Sequence, residues 1–98
     1  MMRHMSDATI TRRLRIRGRV QGVGFRMHFA EQARTHGLGG WVRNRRDGSV
    51  EATISGSAAG VAKVIEWARH GPPSARVTDL QVTDAEGAFS SFDVKPTE

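Results

Sequence analysis

The most constraining feature of this sequence is an alternation of apolar and charged side chains between Ile10 and Val20. The apolar positions are Leu14, Ile16 and Val20, and the neighbouring charged positions are Arg13, Arg15, Arg17 and Arg19. A period of two residues is typical of a β-strand with one face in a hydrophobic core and the other in water. The fold must therefore cover one face of this strand and leave the other open.

Two later stretches carry apolar residues at helical spacing. The first stripe is Phe25, Phe29, Ala30 and Ala33. It follows a glycine-rich loop, residues 18–24, and should end near His36, before Gly37. The second stripe is Val61, Val64, Ile65 and Ala68. Ser57 is the expected N-cap of this second helix, and Gly71 ends it before two prolines.

Residues 40–44, 49–55, 77–83 and 89–94 have the composition of further strands, and residues 46–48 form a turn between the first two. This order predicts an α+β fold, a ferredoxin-like βαββαβ sandwich with two helices on one face of a mainly antiparallel sheet and a short extra C-terminal strand. The expected core is Leu14, Ile16, Phe25, Phe29, Val50, Ile54, Val64, Ile65, Leu80 and Phe92.

Length and composition predict one small domain. The 98 residues suffice for a single core. We expect a disordered segment over residues 1–9, which lacks the apolar centre of a signal peptide, and one domain over residues 10–98. The sequence has no cysteine and no apolar run of membrane-spanning length. We therefore expect a cytoplasmic protein held together by its core alone, with no membrane partner.

The charge balance favours an anionic partner. The formal net charge is +5, and only Lys63 and Lys95 among the basic residues are lysines. The planar guanidinium of arginine suits two-point binding of phosphate or carboxylate groups. A phosphorylated small molecule and a nucleic acid both satisfy this condition.

The expected topology brings two distant segments together. The first two strands flank a helix in a right-handed crossover, so they run parallel and their carboxyl ends share one edge of the sheet. That edge holds the glycine-rich loop, Arg26 in the first turn of the helix, and Asn44 near the end of the second strand. Bare backbone N–H groups and the positive end of the helix dipole favour an anion there.

Two stretches resemble the signatures of the acylphosphatase family. The first is Gly18-Arg19-Val20-Gln21-Gly22-Val23-Gly24-Phe25-Arg26. The second is Gly40-Trp41-Val42-Arg43-Asn44-Arg45-Arg46-Asp47-Gly48-Ser49-Val50-Glu51. Residues 71–77 also resemble the connection into the fourth strand of that family. The similarity extends from Thr11 to Val94, with one departure: Phe29 stands where many family members have a small hydroxyl residue.

The resemblance implies an enzyme that hydrolyses the carboxyl–phosphate bond of an acyl phosphate to a carboxylate and inorganic phosphate. It implies that a loop holds the phosphoryl group, that Asn44 positions the attacking water, and that Ser49 supports the site. The loop residues are Val20, Gln21, Gly22, Val23, Gly24, Phe25 and Arg26, of which Arg26 is catalytic together with Asn44. Since a carboxylate of pKa about 4 leaves without a general acid, we expect neither a metal nor a cofactor.

The expected partners are therefore a small-molecule acyl phosphate and inorganic phosphate, the latter as product and competitive inhibitor. We expect a monomer that binds no nucleic acid. The histidines show no spacing typical of metal ligands. Trp41 and Trp67 are interpreted as packing residues, and the arginines of the first strand as a solvated face.

Two alternatives stay open at this point. The ferredoxin-like order also underlies RNA-binding modules, but the outward positions of such a sheet carry aromatic residues, whereas Arg13, Glu51 and Thr53 stand there in this chain. The second alternative is a module that handles carbamoyl phosphate, as in the acylphosphatase-like domains of hydrogenase-maturation carbamoyltransferases. The stand-alone length argues against that function.

Overall fold

The computed structural model describes residues 8–98 and contains five strands and two helices in that part of the chain. In chain order they are β1 (Thr9–Arg19), α1 (Phe25–Thr35), β2 (Gly39–Asn44), β3 (Val50–Ser57), α2 (Ala58–Ala68), β4 (Arg76–Asp84) and β5 (Phe92–Val94). Neither helix is long and apolar enough to cross a bilayer.

The strands form one sheet in the order β4-β1-β3-β2-β5. β3 pairs antiparallel with both β1 and β2, so β1 and β2 run parallel to each other, as the crossover rule predicts. β4 pairs antiparallel with β1, and the short β5 pairs parallel with β2. The predicted ferredoxin-like fold class is confirmed.

One face of the sheet packs against both helices and forms the hydrophobic core. Leu14 and Ile16 are fully buried, as the alternation in β1 predicts. The aromatic centre of the core is Phe29, whose ring lies 6.4 Å from Phe25, 6.0 Å from Trp67 and 5.9 Å from Phe92, measured between ring centroids. Phe29 therefore joins the two helices to the sheet.

Two expected core residues, Ile65 and Leu80, are only partly buried. Leu80 lies on β4, which is the outermost strand on its side of the sheet, and the helices pack mainly over the other four strands. Ile65 packs against the core from the flank of α2. Helical spacing and strand alternation predict which face of a helix or strand points to the core. They do not predict whether that residue lies at the centre or at the border of the core.

The helix and strand ends agree with the sequence to within a few residues. The Ser57 hydroxyl accepts a hydrogen bond from the Gly60 amide at 3.0 Å, so Ser57 caps α2 as expected. The last strand is shorter than the predicted 89–94 and starts at Phe92. β1 starts at Thr9, opposite Ser57, which is one residue before the predicted domain boundary. Residues 1–7 of the expected disordered segment lie outside the described residues.

The face without helices differs from the solvated surface that the sequence predicts. Glu51, Thr53 and Ser55 lie on this face but are buried. The Arg13 guanidinium donates to the Thr53 hydroxyl at 2.9 Å and to the Glu51 carboxylate at 3.2 Å. The arginines of β1 thus cover the polar residues of β3 rather than extending freely into water.

The aromatic centre of the core generates a stability prediction. Replacing Phe29 by alanine should lower the free energy of unfolding by about 3–5 kcal/mol, because it leaves a cavity between two helices and the sheet. The matched control is Phe89→Ala, since Phe89 is 37% exposed. This control should cost less than about 1.5 kcal/mol. Urea unfolding of both variants measures the difference, and equal losses would contradict the assignment of Phe29 to the core.

Candidate active site

A small cavity of about 120 Å³ lies at the edge of the sheet where β1 and β2 end. It is lined by Val20, Gly22, Gly24, Phe25, Arg26, Met27 and Asn44. Arg26 and Asn44, which are far apart in sequence, therefore face one cavity together with the glycine-rich loop. The parallel direction of β1 and β2 explains this, because the loop follows β1 and Asn44 is the last residue of β2.

The loop beside the cavity keeps backbone N–H groups that have no acceptor among residues 8–98. Gly22 and Gly24 have φ angles of 75° and 78°, which other residues rarely adopt. Gly24 is the N-cap of α1 and has no side chain to cap the helix. The first helical hydrogen bond runs from the His28 amide to the Gly24 carbonyl. Within residues 8–98, the amides of residues 21–27 donate no hydrogen bond. Together with the helix dipole, they suit a bound anion.

Four side chains in and next to the loop hold its shape. Val20 and Phe25, at its two ends, are buried in the core, and Val23 packs against that core. Gln21 turns away from the cavity, and its Nε2 donates to the carbonyls of Arg45 at 2.7 Å and Ser49 at 2.9 Å. Gln21 therefore ties the loop to the turn between β2 and β3.

Arg26 is half-buried in the first turn of α1. Its Nη1 donates to the backbone carbonyl of Lys95 at 3.2 Å. Lys95 is itself fixed beside β2, because its amide donates to the Val42 carbonyl at 2.8 Å. One nitrogen of the guanidinium is thus anchored by the segment after β5, while the group lines the cavity.

Asn44 is fixed by its backbone and leaves its side chain available. It pairs with Val50 of β3, and its carbonyl accepts a hydrogen bond from the Glu98 amide at 3.0 Å. Within the described part of the chain, its side-chain amide makes no hydrogen bond to protein, and it lines the cavity. An amide in this position can both donate to and accept from a water molecule.

Ser49 does not line the cavity. It is buried in the turn between β2 and β3, where its hydroxyl and its amide donate to Asp47 Oδ1 at 2.6 and 2.9 Å. These two hydrogen bonds, helped by the charges of Arg15 and Arg17, hold the pKa of Asp47 below its ordinary value. The Ser49 carbonyl also accepts a hydrogen bond from Gln21, so Ser49 contacts the loop outside the cavity.

Met27 and Lys95 are contributions to the site that the sequence did not predict. Met27 stands off the apolar stripe of α1 and is 62% exposed, yet it borders the cavity. Lys95 acts through its backbone carbonyl, which carries no signal in the amino-acid sequence. The sequence offered one signal for this role of Met27: an apolar residue directly follows Arg26 but lies outside the apolar stripe of the helix.

The histidine nearest the cavity is bound locally. His28 Nδ1 lies 2.9 Å from the Gly24 carbonyl, one turn earlier in α1. Among residues 8–98, no three histidine, aspartate or glutamate side chains are grouped in a way that could hold a metal ion. The polar side chains that line the cavity are one guanidinium, that of Arg26, and one carboxamide, that of Asn44.

Comparison with known proteins identifies the relatives of this chain. The family model described as Acylphosphatase matches residues 12–94. An acylphosphatase of Pyrobaculum calidifontis is 54% identical over 86 residues, which cover 85% of this chain and 78% of that protein. The solved acylphosphatase of Coxiella burnetii is 29% identical, with a TM-score of 0.87 over 97% of this chain and all of that one. Full-length HypF, solved in a phosphate- and nucleotide-bound form, is 26% identical with a TM-score of 0.86, and this chain covers 13% of it.

The hydrogen bonds of Ser49 generate a prediction on pH dependence. Ser49→Ala should raise the pKa of Asp47 toward its ordinary value of 3.8, because Asp47 Oδ1 then accepts one hydrogen bond from residue 49 instead of two. A lowered pKa in the folded state stabilises the protein above the unfolded pKa, and this contribution is lost as the pH falls through the folded pKa. The stability difference between the wild type and Ser49→Ala should therefore shrink below about pH 4.

Carbon-detected NMR titration of the Asp47 carboxyl measures the pKa, and urea unfolding at pH 6 and pH 3 measures the stability. Ser91→Ala is the control, since it removes the hydroxyl of an exposed serine that contacts Asp93 instead. An unchanged pKa of Asp47 in Ser49→Ala would show that the turn is held in another way.

Proposed function

Because this chain belongs to the acylphosphatase family, we propose that it hydrolyses the carboxyl–phosphate bond of acyl phosphates in the cavity between the glycine-rich loop and Asn44. The chain is an acylphosphatase by the family match and by its similarity to curated acylphosphatases over most of its length. The roles of individual residues that follow are part of the proposal.

One observation carries the proposal: Arg26 and Asn44 line a single cavity with Gly22 and Gly24, and the amides of residues 21–27 have no acceptor within residues 8–98. The amides of residues 21–27 and the free N–H groups of Arg26 supply donors for the oxygens of a phosphoryl group. No acidic residue in the first turn of α1 opposes the negative charge of the substrate. The loop and Arg26 therefore bind the phosphoryl group.

Asn44 positions the attacking water. Its side chain lies across the cavity from the loop and has no protein partner within residues 8–98, so it can hold a water molecule by both a donor and an acceptor. The water oxygen forms a bond to phosphorus while the bond from phosphorus to the acyl oxygen breaks. The acyl oxygen leaves as a carboxylate with the bonding electron pair, and the water protons end on inorganic phosphate or in solvent.

These groups suffice because of the leaving group. Phosphoryl transfer passes through a loose transition state in which positioning and charge stabilisation dominate, so no strong general base is needed. A carboxylate whose conjugate acid has a pKa of about 4 leaves without protonation. Alkyl phosphate monoesters leave as alkoxides and would need an acid or a metal ion, so we propose that they are poor substrates.

The acyl end of the substrate would meet Met27. Among the large apolar residues that line the cavity, Val20 and Phe25 are buried, whereas the Met27 thioether beside Arg26 is exposed. A flexible, polarisable methionine favours contact with an aromatic acyl group. Inorganic phosphate, which lacks an acyl group, would occupy the loop alone and act as a competitive inhibitor. The monomeric state and the cytoplasmic location stay predictions.

The first experiment separates the roles of the two catalytic residues. Arg26→Ala should raise the inhibition constant of phosphate and lower kcat/KM for acetyl phosphate by about 10²–10³-fold, because it removes donors from the bound and the reacting phosphoryl group. Asn44→Ala should lower kcat by about 10²-fold and leave phosphate inhibition unchanged, because only the water loses its partner.

Arg69→Ala is the matched control, since Arg69 is an exposed arginine after α2 that pairs with Glu66. All assays contain EDTA, in which wild-type activity should persist. Activity that vanishes with the chelator would contradict the mechanism, and so would an Asn44→Ala variant that loses phosphate affinity but keeps its turnover.

The second experiment tests the acyl contact. Met27→Ala should raise KM for benzoyl phosphate about three- to tenfold and change KM for acetyl phosphate less than twofold, because only the larger acyl group reaches the thioether. Val82→Ala, at another exposed apolar residue, is the control for a change in surface hydrophobicity. Equal effects on both substrates would assign Met27 a structural role instead.

A further inference from the structure

The sheet face without helices carries a second group of cationic side chains, which we call the arginine face. It consists of Arg13, Arg15 and Arg17 on β1, Arg43 on β2 and Arg45 directly after β2. All five contact the carboxylate of Glu51 or Asp47. None of them lines the cavity of the loop and Asn44.

Glu51 organises this face from below. Its side chain is 6% exposed, and its Oε1 accepts from Arg43 and Arg45 at 3.1 Å each. Its Oε2 lies 3.2 Å from Arg13 Nη1 and 3.9 Å from Arg15 Nη2. Burial alone would raise the pKa of Glu51, but the hydrogen bond from Arg43 and the surrounding positive charges outweigh it and lower the pKa. One buried carboxylate thus holds four guanidinium groups in place.

The side chain of Trp41 holds two of the same guanidinium groups from another side. The guanidinium carbons of Arg43 and Arg13 lie 4.8 and 5.5 Å from the Trp41 ring centroid, and Lys95 Nζ lies 5.0 Å from it. The sequence-based interpretation of Trp41 as a packing residue is therefore incomplete, since its ring is a platform for cations. Side chains that are already ordered lose less entropy when a ligand binds.

The carboxylates nearby do not use up the donors of the arginine face. Asp47 lies 3.5 Å from Arg15 and 3.6 Å from Arg17, and Glu98 contacts Arg43. Asp79 stands opposite Arg17 in the register of β4 and β1 but forms no ion pair within 4 Å among the described residues. Each guanidinium has five N–H donors, and the five side chains are between 19% and 46% exposed, so donors remain for a ligand.

A cavity of about 270 Å³ opens on this face. It is lined by Arg13, Arg15, Arg17, Glu51, Gln81 and Thr83. In the sheet register Gln81 stands opposite Arg15 and Thr83 opposite Arg13, so β4 adds neutral polar side chains next to the guanidinium groups. The cavity is more than twice as large as the one at the loop.

We propose that the arginine face is a second anion site, separate from the site of hydrolysis, and that it binds a linear oligophosphate. Alternate residues of one strand are about 7 Å apart, so the guanidinium groups of β1 extend over a distance that a single phosphate cannot bridge. A chain of phosphates presents anionic oxygens along such a row. A nucleic acid is less suited, since Trp41 is the one aromatic side chain that the described residues place among these arginines, and three cations already contact its ring.

The test is calorimetric titration of tripolyphosphate into the full-length chain at about 150 mM salt, where weak surface charge effects are screened. Arg15→Gln should weaken binding at least tenfold, because it removes the guanidinium at the middle of the row. Arg69→Gln makes the same change in net charge at the end of α2 and should weaken binding less than twofold. Arg26→Ala should retain this binding, although the site of hydrolysis is impaired.

Two further readouts locate the bound anion. The chain has two tryptophans, and tripolyphosphate should shift the indole N–H resonance of Trp41 but not that of Trp67, which packs against Phe25 in the core. Arg15→Gln should also leave KM for acetyl phosphate within twofold of the wild type. An unchanged KM would show that the arginine face and the site of hydrolysis act independently, so failure of one proposal can be told apart from failure of the other.

Three results would overturn the proposal. Equal loss of affinity in Arg15→Gln and Arg69→Gln would indicate unspecific attraction to net charge. Loss of all binding in Arg26→Ala would place the anion in the loop site. An oligonucleotide that binds more tightly than tripolyphosphate, with the same dependence on Arg15, would assign the face to nucleic acid instead.

Discussion

The insertion of β3 between β1 and β2 is the constraint on which the site depends. Because β3 pairs antiparallel with both neighbours, β1 and β2 run parallel and end at the same edge of the sheet. A direct hairpin between β1 and β2 would have placed their ends at opposite edges, and Arg26 and Asn44 could not then line one cavity. The crossover through α1 also supplies the helix dipole and the guanidinium of Arg26 at that edge.

Ordering the loop costs free energy, and contacts between the loop and the rest of the fold offset this cost. Glycine loses more conformational entropy on folding than any other residue, which disfavours the ordered loop. Burial of Val20 and Phe25 at its two ends offsets this, and Gln21 adds two hydrogen bonds to the turn after β2. The rigid core and the turn therefore hold the loop in one conformation, which the proposed binding of a phosphoryl group requires.

Local periodicity explains how much the sequence predicts. The alternation in β1, the helical stripes and the crossover rule suffice to derive that β1 and β2 run parallel and that Arg26 and Asn44 meet at one edge of the sheet. The partial exposure of Leu80 depends on which strand is outermost, and the burial of Glu51 depends on the register of three strands. The sequence pattern predicts Met27 only as an exposed helix residue, and its place at the cavity depends on the positions of the loop and β2. These properties arise from contacts between distant segments, which no local pattern encodes.

The two anion sites differ in what holds their donors, and this decides where chemistry is expected. At the loop, the donors are backbone amides fixed by the fold, so they can match a transition state closely. On the arginine face, the donors sit on long side chains that Glu51 and Trp41 restrain through ion pairs and ring contacts. That face also has a carboxamide, that of Gln81, but its donors are guanidinium groups on side chains rather than backbone amides. The larger number of arginines there favours binding, whereas hydrolysis is expected at the smaller cavity with one arginine.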